Sequence, residues 1–402
     1  MSEWPIKKIS EVCEVVNGGT PKTKVSEYWK GEHAWITPAE MGKRLSYYVD
    51  STARSITDLG LDNSSAKLIP PNSVILSSRA PIGHVVINTI AMAFNQGCRG
   101  LVPSDCLDSV FLANYLTANV QTLNDLGTGA TFKELSSGKL KAFEIPLPPL
   151  AEQKRIVSIL DEAFAAIAKA KENAERNLAN AKELFESYLN KVFTEKGEGW
   201  EEASLEILGR TQTGSTPKKA NADHYGDFIP FIKPADFRSN GTLSFGESGL
   251  SKEGLENARE VPAGSALMVC IGATIGKSGF CESAITTNQQ INAFIPNEKI
   301  DYRFAYYAFI TRAFQREVRR NSGQATLPII NKSKWSRLTV RFPDRDKQIR
   351  IVETLEDIKE RQLCFESVLN GKLANLDELK QSILQKAFTG QLTSKSPELE
   401  SI

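Results

Sequence analysis

Ile145-Pro-Leu-Pro-Pro-Leu-Ala-Glu-Gln-Lys-Arg-Ile-Val157 and Val340-Arg-Phe-Pro-Asp-Arg-Asp-Lys-Gln-Ile-Arg-Ile-Val352 are two versions of one segment, 195 residues apart. Proline lacks the donor that a helix interior needs, yet it suits the residues just before or inside a helix start. Each segment therefore predicts that a helix begins there. The residues downstream agree: Leu160, Ala163, Ile167, Ala170, Ala174, Asn177, Ala181, Leu184 and Tyr188 recur by threes and fours. The second copy gives Leu355, Ile358, Gln362, Phe365, Leu369, Lys372, Leu376, Leu379 and Ile383. A 3.5-residue period is the seam of a coiled coil. About 38 helical residues at ~1.5 Å each make a rod of roughly 57 Å.

The duplication extends outward from these helices. Trp4–Met41 aligns with Trp200–Phe237, so that Gly18-Gly-Thr-Pro-Lys22 matches Gly214-Ser-Thr-Pro-Lys218 and Trp35-Ile-Thr-Pro-Ala-Glu40 matches Phe231-Ile-Lys-Pro-Ala-Asp236. Ala80-Pro-Ile-Gly83 falls on Ala273-Thr-Ile-Gly276, and Asn95-Gln96 on Asn288-Gln289. Phe111–Thr194 then runs without a gap onto Tyr306–Thr389. Internal repeats of this kind decide an architecture before any single element does.

Each copy opens with short β-branched runs such as Ser73–Ser78 and Ala266–Ile271, broken by Gly, Pro and Asn. At least one helix interrupts them, Ser109–Val120 in the first copy and Tyr302–Arg320 in the second. The expected fold class is α/β (α+β): a globular domain over 1–150, a spacer helix over 151–195, a second globular domain over 196–345 and a second spacer helix over 346–392. Two such helices packed antiparallel would place the globular domains at opposite ends, with the termini close together. The apolar positions exceed a single seam, because Phe164, Leu178, Phe185, Leu189, Leu363, Leu373, Leu384 and Phe388 lie beside it. Wide stripes fit a bundle, which points to a helical partner from another chain. Contact with the chain's own globular domains would serve the same residues.

Composition narrows the function. Of 402 residues, 41% are apolar and 24% charged, too apolar a chain for disorder. No run approaches the ~18 apolar residues of a membrane span, and no apolar stretch follows Lys7 and Lys8, so a cytoplasmic, membrane-free protein is expected. The six cysteines form no C-x-x-C pair, and the three histidines His33, His84 and His224 stand at no ligand spacing, which argues against a metal. No Asn-Pro-Pro-aromatic, Gly-x-Ser-x-Gly or His-Glu-x-x-His motif occurs, so no catalytic residue is assigned. Gly272-Ala-Thr-Ile-Gly276-Lys277-Ser278 approaches a phosphate-binding loop but has three residues, not four, between its glycines. A turn after a strand is the better reading.

Basic and acidic residues balance at 14 and 14 over 1–150, whereas 196–345 carries 20 against 16. A nucleic-acid binder would need local patches rather than a global field. Arg312, Arg316, Arg319 and Arg320 share one helix face and form one such patch. Thr20, Lys22, Lys24, Thr216, Lys218 and Lys219 offer hydroxyls and amines suited to phosphate. Arg79, His84, Asn95, Gln96 and Arg99 stand opposite Lys277, Asn288, Gln289 and Gln290; Arg suits the guanine edge, Asn and Gln the adenine edge. Thr131 and Lys133 lie in a further glycine-containing loop. Frame residues match between the copies while many of these polar positions differ, as in two readers of different sequences built on one frame.

Taken together, the Thr-Pro-Lys, Trp-Ile-Thr-Pro-Ala-Glu, Ala-Pro-Ile-Gly and Asn-Gln blocks, closing with Ile145–Val157, resemble the specificity subunit of type I restriction–modification enzymes. The likeness covers nearly the whole chain. It implies a non-catalytic subunit with two target-recognition domains that read an asymmetric bipartite site in double-stranded DNA. It also implies docking of two methylation subunits that bind S-adenosylmethionine and, through them, of restriction subunits that use ATP and Mg. The second closing block departs from the pattern by losing the double proline, which bears on how the second helix begins. A free-standing DNA-binding regulator, or a nucleotide-dependent enzyme built on the Gly272 loop, are the competing readings.

Overall fold

The computed structural model describes residues 4–44, 46–129, 133–195, 199–218, 220–246, 249–323 and 327–393. Two compact units divide the chain, Met1–Asn173 with Lys372–Ile402, and Ala174–Gly371. The longer helices are α1 (Ser109–Ala118), α2 (Leu150–Thr194), α3 (Tyr302–Ile310), α4 (Arg312–Asn321) and α5 (Arg345–Phe388).

In the first unit, Cys98–Pro103 pairs antiparallel with both Cys13–Asn17 and Val74–Ser77, and Val74–Ser77 pairs onward with Val85–Asn88. A smaller sheet joins Trp29–Ile36 to Ser55–Ile56 and, in parallel, to Met92–Phe94. The strand Val74–Ser77 is buried throughout, because the sheet is covered on both faces. Successive side chains alternate between those faces. Val74 and Leu76 pack with Phe111, Leu112 and Leu116 of α1, and Ile75 packs with Ile36, Met41 and Phe94.

The second unit repeats this order. Ile291–Pro296 lies between Gly209–Thr213 and Ser265–Val269, and Ser265–Val269 pairs with Ser278–Cys281. Ala266 and Met268 face Phe304 and Phe309 of α3, while Leu267 and Val269 face Ile232, Phe237 and Ile285. In both units an aspartate starts the covering helix. Asp108 accepts from the backbone N–H of Val110 and Phe111, each at 2.9 Å. Asp301 does so from Arg303 at 2.8 Å and Phe304 at 3.2 Å. Such caps satisfy amides that the first helical turn leaves free.

Both long helices begin at the expected prolines, with 45 residues in α2 and 44 in α5. The missing second proline of the second closing block does not disturb the helix start. Asp344 stands in its place and accepts from the N–H of Lys347 at 2.9 Å. Within the first unit the helices run antiparallel: Lys171 pairs with Asp377, and the Lys380 ammonium sits 4.9 Å from the Phe164 ring centre. Within the second, Lys359 lies 4.5 Å from the ring centre of Phe185.

The seam does not hold along its full length. Leu160, Ile167, Ala174, Leu355 and Leu369 are buried as expected, but Leu184 is 69% exposed, Phe365 44% and Leu379 47%. A straight helix drifts by about 20° per heptad against a 3.5-residue repeat, which carries these positions out of the contact. Neighbouring positions move in. Phe185 and Leu189 join the core around α3, and Leu384 joins the core around α1. Phe388 packs on the rings of Phe111 and Tyr115 at 5.2 and 5.1 Å. Phe164 packs against the same core as Leu384, so five of the eight apolar positions expected to form a surface for another chain contact the chain's own globular part. Phe164, Leu178, Leu363 and Leu373 are half-buried.

Candidate nucleic-acid interface

Two loop clusters, one per unit, collect a part of the polar residues singled out in the sequence. In the first unit the Thr20 hydroxyl meets the Gln96 side-chain carbonyl and accepts from the Asn95 amide at 3.0 Å. Asn95 Oδ1 accepts from the N–H of Gly97 at 2.7 Å. In the second unit the Thr216 hydroxyl meets Gln289, and Asn288 Oδ1 accepts from the N–H of Gln290 at 3.1 Å. The two loops thus share the Thr–Gln tie and the asparagine that accepts from its own loop, but Asn288 Nδ2 donates to Gln290 Oε1 at 3.0 Å where Asn95 reaches Thr20. Gly18 and Gly214 allow the close approach, since a Cβ at either would collide with the backbone carbonyl of Asn95 or Asn288. Asn95 and Asn288 thereby act on their own loops, and the residues left exposed at the tips are Gln96 and Gln289.

Beside each cluster a single bridge joins two loops, Arg79 with Glu134 in the first unit and Ile271 with Ile329 in the second. Strand register sets this equivalence: Leu76 pairs with Arg99, and Met268 with Asn292. Arg79 consequently corresponds to Ile271, one residue earlier than the sequence alignment suggests, and Gly272 is the inserted residue. The chemistry at the bridge differs. Glu134 accepts from Arg79 at 3.1 Å and from Arg99 at 3.2 Å. Arg99 also donates to the carbonyls of Gln96 and Cys98, both at 3.0 Å, and it is buried. Its guanidinium is committed beneath the loop, while Arg79 stays half exposed. Glu134, which pins both arginines, carries no signal of its own in the sequence. Its partners lie 35 and 55 residues away, and only its neighbour Lys133 hints at the loop.

The remaining candidates separate. Lys22, Lys24, Lys133 and Lys218 are exposed and make no side-chain hydrogen bond or ion pair among the described residues. Thr131 and Lys219 lie outside the described residues. The His84 ring packs where a Cβ on Gly42 would stand. Lys277 donates to the Pro234 carbonyl at 3.2 Å, and Gly276 has φ +90 in the turn after the strand Ser265–Val269. The apparent phosphate loop is thus a strand-to-strand turn, and its lysine is directed to a backbone carbonyl.

Three of the four arginines of α4, Arg312, Arg316 and Arg319, border one groove, and the four differ in their partners. Arg312 pairs with Glu186 of α2 at 2.8 Å and Arg320 with Glu317 at 2.9 Å. Arg316 and Arg319 line a groove of about 800 Å³ with Lys182, Lys359, Glu186 and Glu366. Burial lowers the Lys359 amine below the ordinary lysine range. Among the described residues, no group of three or more His, Cys, Asp or Glu side chains could hold a metal ion, and no helix is long and apolar enough to cross a membrane.

The chain thus builds one sheet-and-loop frame twice, with different exposed chemistry. The type I restriction modification DNA specificity domain matches residues 1–176 and again 197–373. The chain belongs to this family. A type I restriction enzyme MjaIX specificity subunit of Methanocaldococcus jannaschii is 32% identical over 247 residues, 58% of this chain and 57% of that protein. The EcoKI specificity subunit of Escherichia coli K12 is 24% identical over 98% of this chain and 90% of its own length. The chain spans about half the length of the first curated relatives it matches.

Solved structures share the type I specificity fold. A chain described in work on assembly and conformational transition of the type I R-M system superposes with a TM-score of 0.79 at 18% identity, covering 98% of this chain and 99% of that one. The HsdS subunit from Thermoanaerobacter tengcongensis gives 0.62 at 17% identity, covering 97% and 98%. At these identities the likeness establishes the fold.

Proposed function

We propose that this chain is the non-catalytic DNA-recognition subunit of a type I restriction–modification complex. In this reading residues 1–150 and 196–345 are two target-recognition domains, each reading one half of an asymmetric bipartite site, and α2 and α5 set the spacing between the halves. The observation that carries it is the matched frame with unmatched chemistry: identical Thr–Gln ties in both loops, beside an ion-paired Arg79–Glu134 bridge in one unit and an Ile271–Ile329 bridge in the other. Side chains that read base edges must differ where the bases differ, whereas the frame that presents them need not. Lys22, Lys24, Lys133 and Lys218, exposed and without a side-chain partner among the described residues, are suited to phosphate.

Two methylation subunits carrying S-adenosylmethionine are the expected partners, with ATP- and Mg-dependent restriction subunits joining through them. Their docking is assigned to the helix faces that the drifting seam leaves open. In the second unit Leu184 and Phe365 border an apolar groove of about 590 Å³ with Ala181 and Ile358.

The test is to express the chain with its methylation subunit and map the methylated motifs in cellular DNA. Replacing residues 1–150 with those of a relative of different specificity should exchange one half-site and leave the other intact. A replacement that altered both halves would overturn the modular reading.

A further inference from the structure

Gln153 and Gln348 occupy the fourth position of α2 and α5, and both are fully buried. Gln153 Oε1 accepts from the N–H of Asp108 at 2.8 Å, while its Nε2 donates to the carbonyls of Cys106 at 2.9 Å and Pro148 at 2.8 Å. Gln348 Oε1 accepts from the N–H of Asp301 at 2.8 Å, while its Nε2 donates to Lys299 at 2.9 Å and Pro343 at 2.8 Å. Both amide protons of each side chain are therefore used, and the three lengths agree between the units to a tenth of an ångström.

The surroundings do not agree. Pro148-Pro149-Leu150 faces Pro343-Asp344-Arg345, and Cys106 faces Lys299. The second unit adds Arg345, which donates to the Glu298 carbonyl at 3.0 Å; the first has leucine there. Only the glutamine and its three backbone partners recur. Those partners belong to two different junctions. Asp108 and Asp301 cap the helix that covers the recognition sheet, and Pro148 and Pro343 form the turn that begins the long helix. One side-chain amide thus joins the start of α1 to the start of α2, and its counterpart joins α3 to α5. An apolar side chain of similar size would fill the space, but only directional hydrogen bonds fix an angle. A buried amide is tolerable only when all its donors are satisfied, so the junction accepts one geometry.

We propose that Gln153 and Gln348 are positioning residues: each sets the direction in which a long helix leaves its own recognition domain, and with it the half-site spacing that the subunit accepts. This rests on the reading of the helices as the element that sets spacing. Neither glutamine touches the loop clusters, so the bases read at each half should not change.

The experiment uses the full chain in complex with its methylation subunit and a panel of duplexes with fixed half-sites and spacers one or two base pairs shorter or longer. Gln153→Met and Gln348→Met keep the volume and remove all three bonds. The preference of each variant for the native spacing over its neighbours should fall by about tenfold, the worth of roughly one lost hydrogen bond, with half-site bases unchanged. Gln153→Glu and Gln348→Glu keep the acceptor and remove both donors; should a methionine variant fail to assemble, the glutamate variant carries the same comparison. A uniform loss at all spacers with the preference intact would overturn the role and leave the glutamines purely structural, and so would a changed half-site. A parent complex indifferent to spacing would instead overturn the spacing role of the helices.

Discussion

Arg79 and Ile271 hold the same place in the two units, each bridging to the loop that precedes the long helix, yet one stands opposite a glutamate with which it forms an ion pair and the other opposite a second isoleucine. Their frames are near copies. Each bridge flanks a central strand buried on both faces, and each loop is tied by a threonine and a glutamine. The difference shows where the duplicated unit is free to vary. Residues that set the backbone are held by collisions and hydrogen bonds that any copy must satisfy, while the bridge position only has to pair with whatever stands opposite.

The sharpest way to break this comparison is to remove the charge. Arg79→Ala should lower discrimination at the first half-site by about 10- to 100-fold, the worth of roughly 1–3 kcal/mol for one good base contact, and leave the second half-site unchanged. Methylation rates on duplexes mutated one base at a time would show it. Equal losses at both halves would mean that Arg79 supports the fold and reads nothing. Glu134→Ala probes the support instead. It leaves Arg99 buried with only carbonyl partners, so the free energy of unfolding should fall by about 1–2 kcal/mol in a denaturant titration. Ile329→Ala should have the smaller effect, because Ile329 is 44% exposed.

A gentler test acts on what the two units share. Gln96→Ala and Gln289→Ala each remove one exposed loop tie, so each should weaken its own half-site by a few-fold, and by similar factors. Measured affinities for duplexes carrying one intact half-site would compare them directly. A large effect in one unit alone would show that its glutamine reads a base rather than holding the loop.

Much of this architecture is legible in the sequence. Prolines ahead of an uninterrupted apolar period mark the starts of both long helices, and the repeated Gly-x-Thr-Pro-Lys and Asn-Gln blocks mark the loops that fold together. Less legible is where a given side chain ends. Arg99 reads as a surface arginine until the strand Cys98–Pro103 is seen to bury it, and Glu134 acquires its role only through partners distant in the chain. The helix seam departs from expectation for a different reason: a constant period of 3.5 holds for a supercoiled pair, and a straight helix departs from it within a few turns. Leu184 and Phe365 stand on the seam by spacing and face outward; Phe185 and Leu189 stand on its flank by spacing and lie in a core.

The smallest expected effect concerns the cysteines, which divide the same way in both units. Cys13 and Cys98 in the first and Cys270 and Cys281 in the second lie in the cores, where burial pushes the first three thiols up to about 12 and the fourth to about 11. A raised thiol pKa leaves almost no thiolate near neutral pH, and the thiolate is the nucleophile. Cys106 and Cys364 are exposed. Iodoacetamide at about pH 7.5, well below those raised values, should therefore add to Cys106 and Cys364 and spare the other four until the chain is unfolded, as mass spectrometry of the peptides would read. Adduct at Cys13 or Cys98 alone would mean that the first unit opens more readily than the second, and the comparison between two equally built frames would then hold for their geometry but not for their stability.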